Sequence, residues 1–232
     1  MKFIVKKILP KSILGILSII RDEFKNKKGN IKISSSCADL VGYETLIEFI
    51  KLNDILSIKG DLVEIGAFLG GGTYKLSKFL EGKRSSKKLY VIDIFDLTFD
   101  RTVNNDGNEM ATLYLNGLKA YGGKTQWNVF LEITKGCKNV FVLKGDSKYV
   151  TIPSNNLCFG FIDGNHKPEY VENDFYLVWN KLLSKGVVAF HDYEWDLPQT
   201  TIKIKELVSR HFFEIQGTYF DKNKHILFIV KK

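Results

Sequence analysis

Cysteine is scarce in this chain. Cys37, Cys137 and Cys158 are scattered, and no C-x-x-C pair occurs. That excludes a disulfide framework and a zinc knuckle, and it favours reduced thiols in a cytoplasmic protein. Long apolar runs are missing too. The N-terminal stretch MKFIVKKILPKSILGILSII is broken by Lys11, is too short to span a bilayer, and is followed by charge rather than by a small-residue cleavage site. Two nucleotide-binding patterns are also absent. Phe68 stands where a G-x-G-x-x-G motif needs its second glycine, and no Gly-Lys-Ser/Thr completes a P-loop. There are no repeats and no low-complexity tracts.

A basic stripe is the remaining absence, despite a net charge of +8 over 232 residues. Eight basic side chains against Asp22 and Glu23 fall within the first 28 residues, so the rest of the chain carries only +2. The body therefore has no footprint for nucleic acid. Residues 1–30 form a basic, amphipathic segment with an apolar helical face over residues 12–20. Two readings stay open for residues 1–28: peripheral contact with an anionic membrane at its inner face, or packing on the domain or on a second subunit of a homodimer. Hydrophobic content of 44% and charged content of 26% are those of an ordinary globular domain. Residues 31–232 are long enough for one such domain with a sizeable core.

Within that domain, strand and helix patterns alternate. A helical pattern over residues 38–56 precedes a strand at 61–66 and a helix at 72–80. Strands follow at 89–94, 140–143, 157–163 and 186–190, with helices at 169–183 and 198–210. Residues 96–136 make a long insert on the substrate side with two helices, around 109–121 and 126–134. The chain closes with strands at 212–220 and 225–230, joined by the polar turn DKNK. This predicts an α/β fold: a doubly wound, mostly parallel Rossmann-like sheet, with one antiparallel strand from the C-terminal hairpin.

Ligands of such sheets bind at the carboxyl ends of the strands, and polar residues gather there. The first strand runs into the glycine-rich stretch GDLVEIGAFLGGGTYKL, where Glu64, Gly66 and Gly70–Gly72 raise the question of what approaches the backbone so closely. Asp93 and Asp96 end the second strand, Asp146 and Ser147 the third. Asp163, Gly164, Asn165 and His166 end the fourth, and His191, Asp192 and Tyr193 the fifth. Asp93 follows the glycine loop at the interval expected of an acid that binds ribose hydroxyls. With Glu64 it makes the first crevice negative, which suits a cationic or neutral nucleoside better than a pyrophosphate.

The residues VEIGAFLGGGT, YVIDIFD, the GDS at 145–147, FIDGNHKPEY and GVVAFHDYEWDLP together resemble the class I S-adenosylmethionine-dependent methyltransferases. More narrowly, they resemble the small bacterial O-methyltransferases grouped with macrocin O-methyltransferase, over roughly residues 38 to 230. The resemblance implies a seven-stranded sheet and S-adenosylmethionine as cofactor. The implied cofactor-side residues are Glu64, Gly66, Ala67, Gly70, Gly71, Gly72, Thr73, Asp93, Asp146 and Ser147. The glycines would admit the methionine part, Asp93 would take the ribose, and Asp146 and Ser147 would edge the adenine.

Methyl transfer to a hydroxyl is an in-line displacement that needs alignment and help with the departing proton. Asp163, His191 and Asp192 could converge on one divalent cation, magnesium or another. The metal-dependent relatives carry an acid pair where this chain has His191–Asp192, and histidine favours manganese, iron or zinc over magnesium. Metal-free catalysis is the alternative, with Asp163, His166 or His191 as the catalytic groups. The insert mixes aromatics with amides, as a sugar-like acceptor would require. The resulting expectation is O-methylation of a small-molecule or glycan acceptor. The rivals are a nicotinamide-dependent oxidoreductase or epimerase, an iron- and oxygen-dependent hydroxylase, and a non-catalytic cofactor-binding subunit.

Overall fold

The structure is a computed structural model that describes residues 41–232. Residues 1–40, with the basic segment at 1–30 and Cys37, lie outside the described residues.

Seven strands form one sheet in the order β3-β2-β1-β4-β5-β7-β6. They are β1 (Asp61–Ile65), β2 (Leu89–Asp93), β3 (Val140–Lys144), β4 (Leu157–Ile162), β5 (Leu182–Phe190), β6 (Ile215–Asp221) and β7 (Ile226–Lys231). β1 to β5 are parallel neighbours, whereas β7 runs antiparallel to both β5 and β6. The expected hairpin is thus present, and its second strand, not its first, slots against β5. Side chains alternate across a strand, and the central strands split their apolar residues accordingly. Phe159 and Phe161 of β4, Val187 and Ala189 of β5, and Phe228 of β7 enter one core layer. Ile162, Val188, Phe190 and Ile229 enter the other.

Helices cover both faces. On the first lie α1 (Glu44–Leu52), α2 (Gly71–Gly82) and α4 (Gln126–Ile133), through Leu46, Ile50, Leu76, Leu80 and Phe130. On the second lie α5 (Pro168–Trp179) and α6 (Pro198–Arg210), through Val171, Phe175, Val178, Ile204 and Leu207. Proline opens both of these helices, where its missing N–H costs nothing. α5 is shorter than the periodicity predicts. It ends at Trp179, and the chain enters β5 at Leu182 with Lys185 at φ +65°.

The insert divides in two. α3 (Met110–Leu118) and the loop before it stand beside the strand ends. α4 instead is an ordinary crossover helix whose Phe130 is fully buried against Phe95 and Trp127. Strand order reverses between β1 and β4, and there Ile65 C=O accepts a 2.8 Å hydrogen bond from Asp163 N–H. This switch point is where an open α/β sheet offers its crevice.

Candidate active site

The crevice is an open cleft of about 900 Å³, its solvent-filled mouth included. Its walls come from the ends of β1, β2, β3 and β4, from Phe99 and Asp100 of the insert, and from Tyr170 and Asp174 of α5. Six aspartates line it: Asp93, Asp96, Asp100, Asp146, Asp163 and Asp174. Among the described residues, no lysine, arginine or histidine does.

Glycine at 66 is required by the protein itself. Its φ is +87°, and a Cβ there would stand 2.0 Å from Asp163 C=O. Two of the three glycines at 70–72 have a similar explanation. A Cβ on Gly70 would meet the Phe130 ring at 2.7 Å, and one on Gly72 the Tyr43 ring at 2.2 Å. What approaches this backbone is therefore the ring of Tyr43 and the flank of α4. Of the loop residues expected on the cofactor side, Gly66, Ala67 and Gly72 line the cleft, and Gly70, Gly71, Thr73 and Glu64 lie behind it. Glu64 is wholly buried and accepts from Tyr43 Oη at 2.5 Å and Thr73 Oγ1 at 2.6 Å. Burial pushes its carboxyl up to about 7 against the pull of those two donors.

Asp93 reaches the cleft and also braces the loop. Its Oδ2 accepts from Ala67 N–H at 2.8 Å and Phe68 N–H at 3.1 Å, and its Oδ1 from Phe95 N–H at 2.6 Å. Gln126 Nε2 adds a longer 3.4 Å contact. A carboxylate offers about four acceptor sites, so these donors leave little of it for a ligand. Burial holds its pKa above the ordinary value despite the three N–H groups. Asp146 accepts from Tyr170 Oη at 2.8 Å and from Lys148 N–H at 2.9 Å. Ser147 lines the cleft beside it.

At the other end, Asp163, His191 and Asp192 offer ligand atoms that all lie within 4.8 Å of one another. His191 Nδ1 is 3.2 Å from Asp163 Oδ1 and 3.0 Å from Asp192 Oδ1. Two donors set at right angles about 2.1 Å from one small cation would be about 3 Å apart, so the spacing fits a shared ion as well as hydrogen bonds. Of the three, only Asp163 lines the cleft. Burial disfavours a charged His191, but the carboxylates of Asp192 and Asp163 outweigh it and raise its pKa to about 10. Asp192 adopts φ +58°, is fully buried, and is held well below the carboxylate range by the two histidines in spite of that burial.

His166 does not face an acceptor. It is 4% exposed, with Nδ1 2.5 Å from Asp100 Oδ2 and Nε2 2.5 Å from Asp192 Oδ2. With both ring nitrogens engaged, it has none left for a hydroxyl. It ties the insert, through Asp100, to the end of β5. Burial disfavours its charge, but the two carboxylates hold it protonated. Sequence reasoning missed Asp100, which sits in an irregular loop without a motif. It also missed Tyr43 and Asp174. For Asp174 a signal existed: an acid inside the apolar stripe Val171, Phe175, Val178 of α5.

A family profile described as "Methyltransferase domain" matches residues 63–193, more than half of the chain. The chain belongs to this family, the class I S-adenosylmethionine-dependent methyltransferases. Among solved structures, the O-methyltransferase NovP superposes with a TM-score of 0.65 at 16% identity, covering 96% of this chain and all of that one. CalS11, a TDP-rhamnose 3'-O-methyltransferase of calicheamicin biosynthesis, gives a TM-score of 0.55 at 10% identity over 96% of this chain and 95% of its own. A putative caffeoyl-CoA O-methyltransferase from Staphylococcus aureus gives 0.50 at 12%, over 94% and 92%. Such identities show a shared fold. Comparison with curated proteins finds no match. No helix among the described residues of this methyltransferase is long and apolar enough to cross a membrane.

Proposed function

We propose that this methyltransferase transfers the methyl group of S-adenosylmethionine to a hydroxyl of a small polar acceptor, most simply a sugar. The observation that carries the reading is the cleft's acidic lining, which suits a sulfonium, with the Asp163–His191–Asp192 cluster at one end. Asp146 and Ser147 serve the nucleoside, and Asp93, most of whose acceptor capacity holds the Ala67–Phe68 loop, offers the ribose only what remains. Asp163, the cluster member that reaches the cleft, receives the acceptor's proton as the oxygen attacks the methyl carbon and the carbon–sulfur bond breaks. Burial keeps the pKa of Asp163 raised against the pull of His191, which makes it a stronger proton acceptor than an ordinary carboxylate. His191, charged between two carboxylates, holds Asp163 in place. A divalent cation would be held by Asp163, His191 and Asp192 and would supply Lewis-acid stabilisation of the developing alkoxide. Ligation requires neutral imidazole, so that ion and the proton on His191 exclude one another. The solved O-methyltransferases with the same fold include one that acts on a nucleotide-linked sugar, and this supports the sugar as acceptor class.

Calorimetric titration with S-adenosylhomocysteine, with NAD as control and with or without manganese, tests the cofactor. Asp163→Asn should retain binding within about threefold while methyl transfer falls by 10² to 10⁴. An Asp163→Asn enzyme of normal activity would remove Asp163 from the chemistry. Binding of NAD alone would replace methyl transfer with redox chemistry.

A further inference from the structure

Charge in this domain is sorted by strand end. The residues that lead into the five parallel strands, 58–60, 83–88, 134–139, 153–156 and 180–181, hold eight lysines and arginines and no acid. Those that leave the same strands, 66–70, 94–100, 145–149, 163–167 and 191–197, hold seven acids against Lys148 and Lys167. In sequence order the two signs alternate, so no basic stripe is visible there. Parallel pairing gathers them into one basic and one acidic edge of the sheet. None of the eight cations forms an ion pair with a carboxylate among the described residues. Lys87 Nζ donates to the carbonyls of Ile58 and Gly60, and Lys181 Nζ to that of Ser154, which fixes both without neutralising them. Lys185, exposed at the irregular start of β5, adds to the same edge.

The basic edge continues into an exposed aromatic pair. β7 runs antiparallel, so its end returns to the start of β5, where Val230 pairs with Val187. The short 3-10 turn Phe212–Glu214 precedes β6 beside it. Phe212 and Phe213 are 66% and 83% exposed, with ring centroids 5.6 Å apart. Lys232 Nζ donates to Phe213 C=O at 2.8 Å and Trp179 Nε1 to Glu214 Oε2 at 3.1 Å, so the pair stands on an anchored turn. The acids of this edge are Asp54, Asp61, Glu81 and Glu214. Of these, Glu81 is taken by Lys78, and Glu214 by Trp179 and His211.

We propose that this basic edge is a docking surface for an anionic bilayer, with Phe212 and Phe213 entering the headgroup region and the lysines lying over anionic lipid. The proposal depends neither on the methyl-transfer reading nor on residues 1–28. Charge complementarity and an apolar wedge together select this partner. Uncompensated lysines attract any polyanion. Adjacent phenylalanines carry no polar tip, and burying them is favourable where the anionic layer covers an apolar interior. Each lysine near an anionic leaflet adds about fivefold in affinity, and its long stem reaches the headgroups. The acidic cleft, at the opposite edge, is repelled by the same lipids. Both ends of the charge separation therefore favour one orientation, which leaves the mouth of the cleft open to solution.

Flotation of the full chain with vesicles tests this, using phosphatidylcholine alone and phosphatidylcholine mixed with phosphatidylglycerol. Each variant is checked for folding by thermal unfolding. Wild type should bind the mixed vesicles and not the neutral ones. Lys59→Gln and Lys185→Gln should each lose about fivefold in affinity. The double variant Phe212→Ser, Phe213→Ser should lose about tenfold or more. Lys222→Gln removes the same charge from the β6–β7 turn, at the acidic edge, and should stay within about twofold of wild type. Folded Lys59, Lys185 and phenylalanine variants that bind like wild type would assign membrane contact to another part of the chain. An equal loss in Lys222→Gln would assign it to net charge alone. Binding to polyuridylate without binding to mixed vesicles would make the edge a nucleic-acid surface. Each of these results overturns the assignment, as does a wild-type chain that floats with neither vesicle.

Discussion

Replacing Glu64 with glutamine tests the foundation of the glycine loop without any substrate. The carboxyl is buried between Tyr43 and Thr73, and its pKa stands at about 7 rather than 4.5, mainly because burial penalises the charged form. A carboxyl with a raised folded pKa binds its proton more tightly in the folded state. Its contribution to stability is fully present below pH 4.5 and is lost as pH rises through 7. Between pH 5 and pH 8 the loss is about 2.5 kcal/mol. Glu64→Gln removes the titration, keeps the volume and still offers a carbonyl to one hydroxyl. The difference in unfolding free energy, variant minus wild type, should therefore rise by about 2.5 kcal/mol from pH 5 to pH 8. For a domain of this size that is roughly 5–10 °C in Tm. Other buried acids titrate in both proteins and cancel in the difference. Urea unfolding at the two pH values measures it. Parallel pH dependences would mean that Glu64 is ionised throughout and that the burial argument is wrong.

Gly72→Ala should destabilise the domain by about 1–3 kcal/mol in denaturant unfolding, because its methyl would overlap the Tyr43 ring and pull that hydroxyl off Glu64. The Asp100→Ala change should quicken amide hydrogen exchange across residues 101–118 and leave β4 unchanged, since Asp100 is the insert's hold on His166. Equal exchange in both proteins would show that other contacts keep the insert in place.

Much of the fold is legible in the sequence because its signals are local. The alternation of short apolar strands with periodic helices requires a covered, mostly parallel sheet, and Pro198 marks the first turn of α6 before any coordinates exist. Residues that act only through distant partners are harder to read. The glycines at 70 and 72 suggest a ligand's approach, yet the bodies that fill the space are Phe130, some sixty residues on, and Tyr43, from the N-cap of α1. His166 follows a strand end as a catalytic base would. Only the fold reveals that Asp100 and Asp192 arrive from 66 and 26 residues away to occupy both its nitrogens. The boundary between α5 and β5 is misread for a related reason. The apolar residues Leu182 and Leu183 extend the helical period, but pairing of Leu182 with Leu157 of β4 claims them for the sheet.

The charge distribution explains how so acidic a cleft can exist. Six aspartates around one cavity would repel one another, and burial alone would protonate several of them. Two histidines, His166 buried and His191 largely so, reduce that cost from behind the wall. His166 serves Asp100 and Asp192, and His191 serves Asp163 and Asp192. Because neither imidazole lines the cleft, their charge stabilises the carboxylates without cancelling the negative face turned toward a ligand. That face attracts a sulfonium and loses this attraction once the methyl group leaves and sulfur becomes neutral. The arrangement that draws the donor in is thus the one that weakens the hold on the spent cofactor.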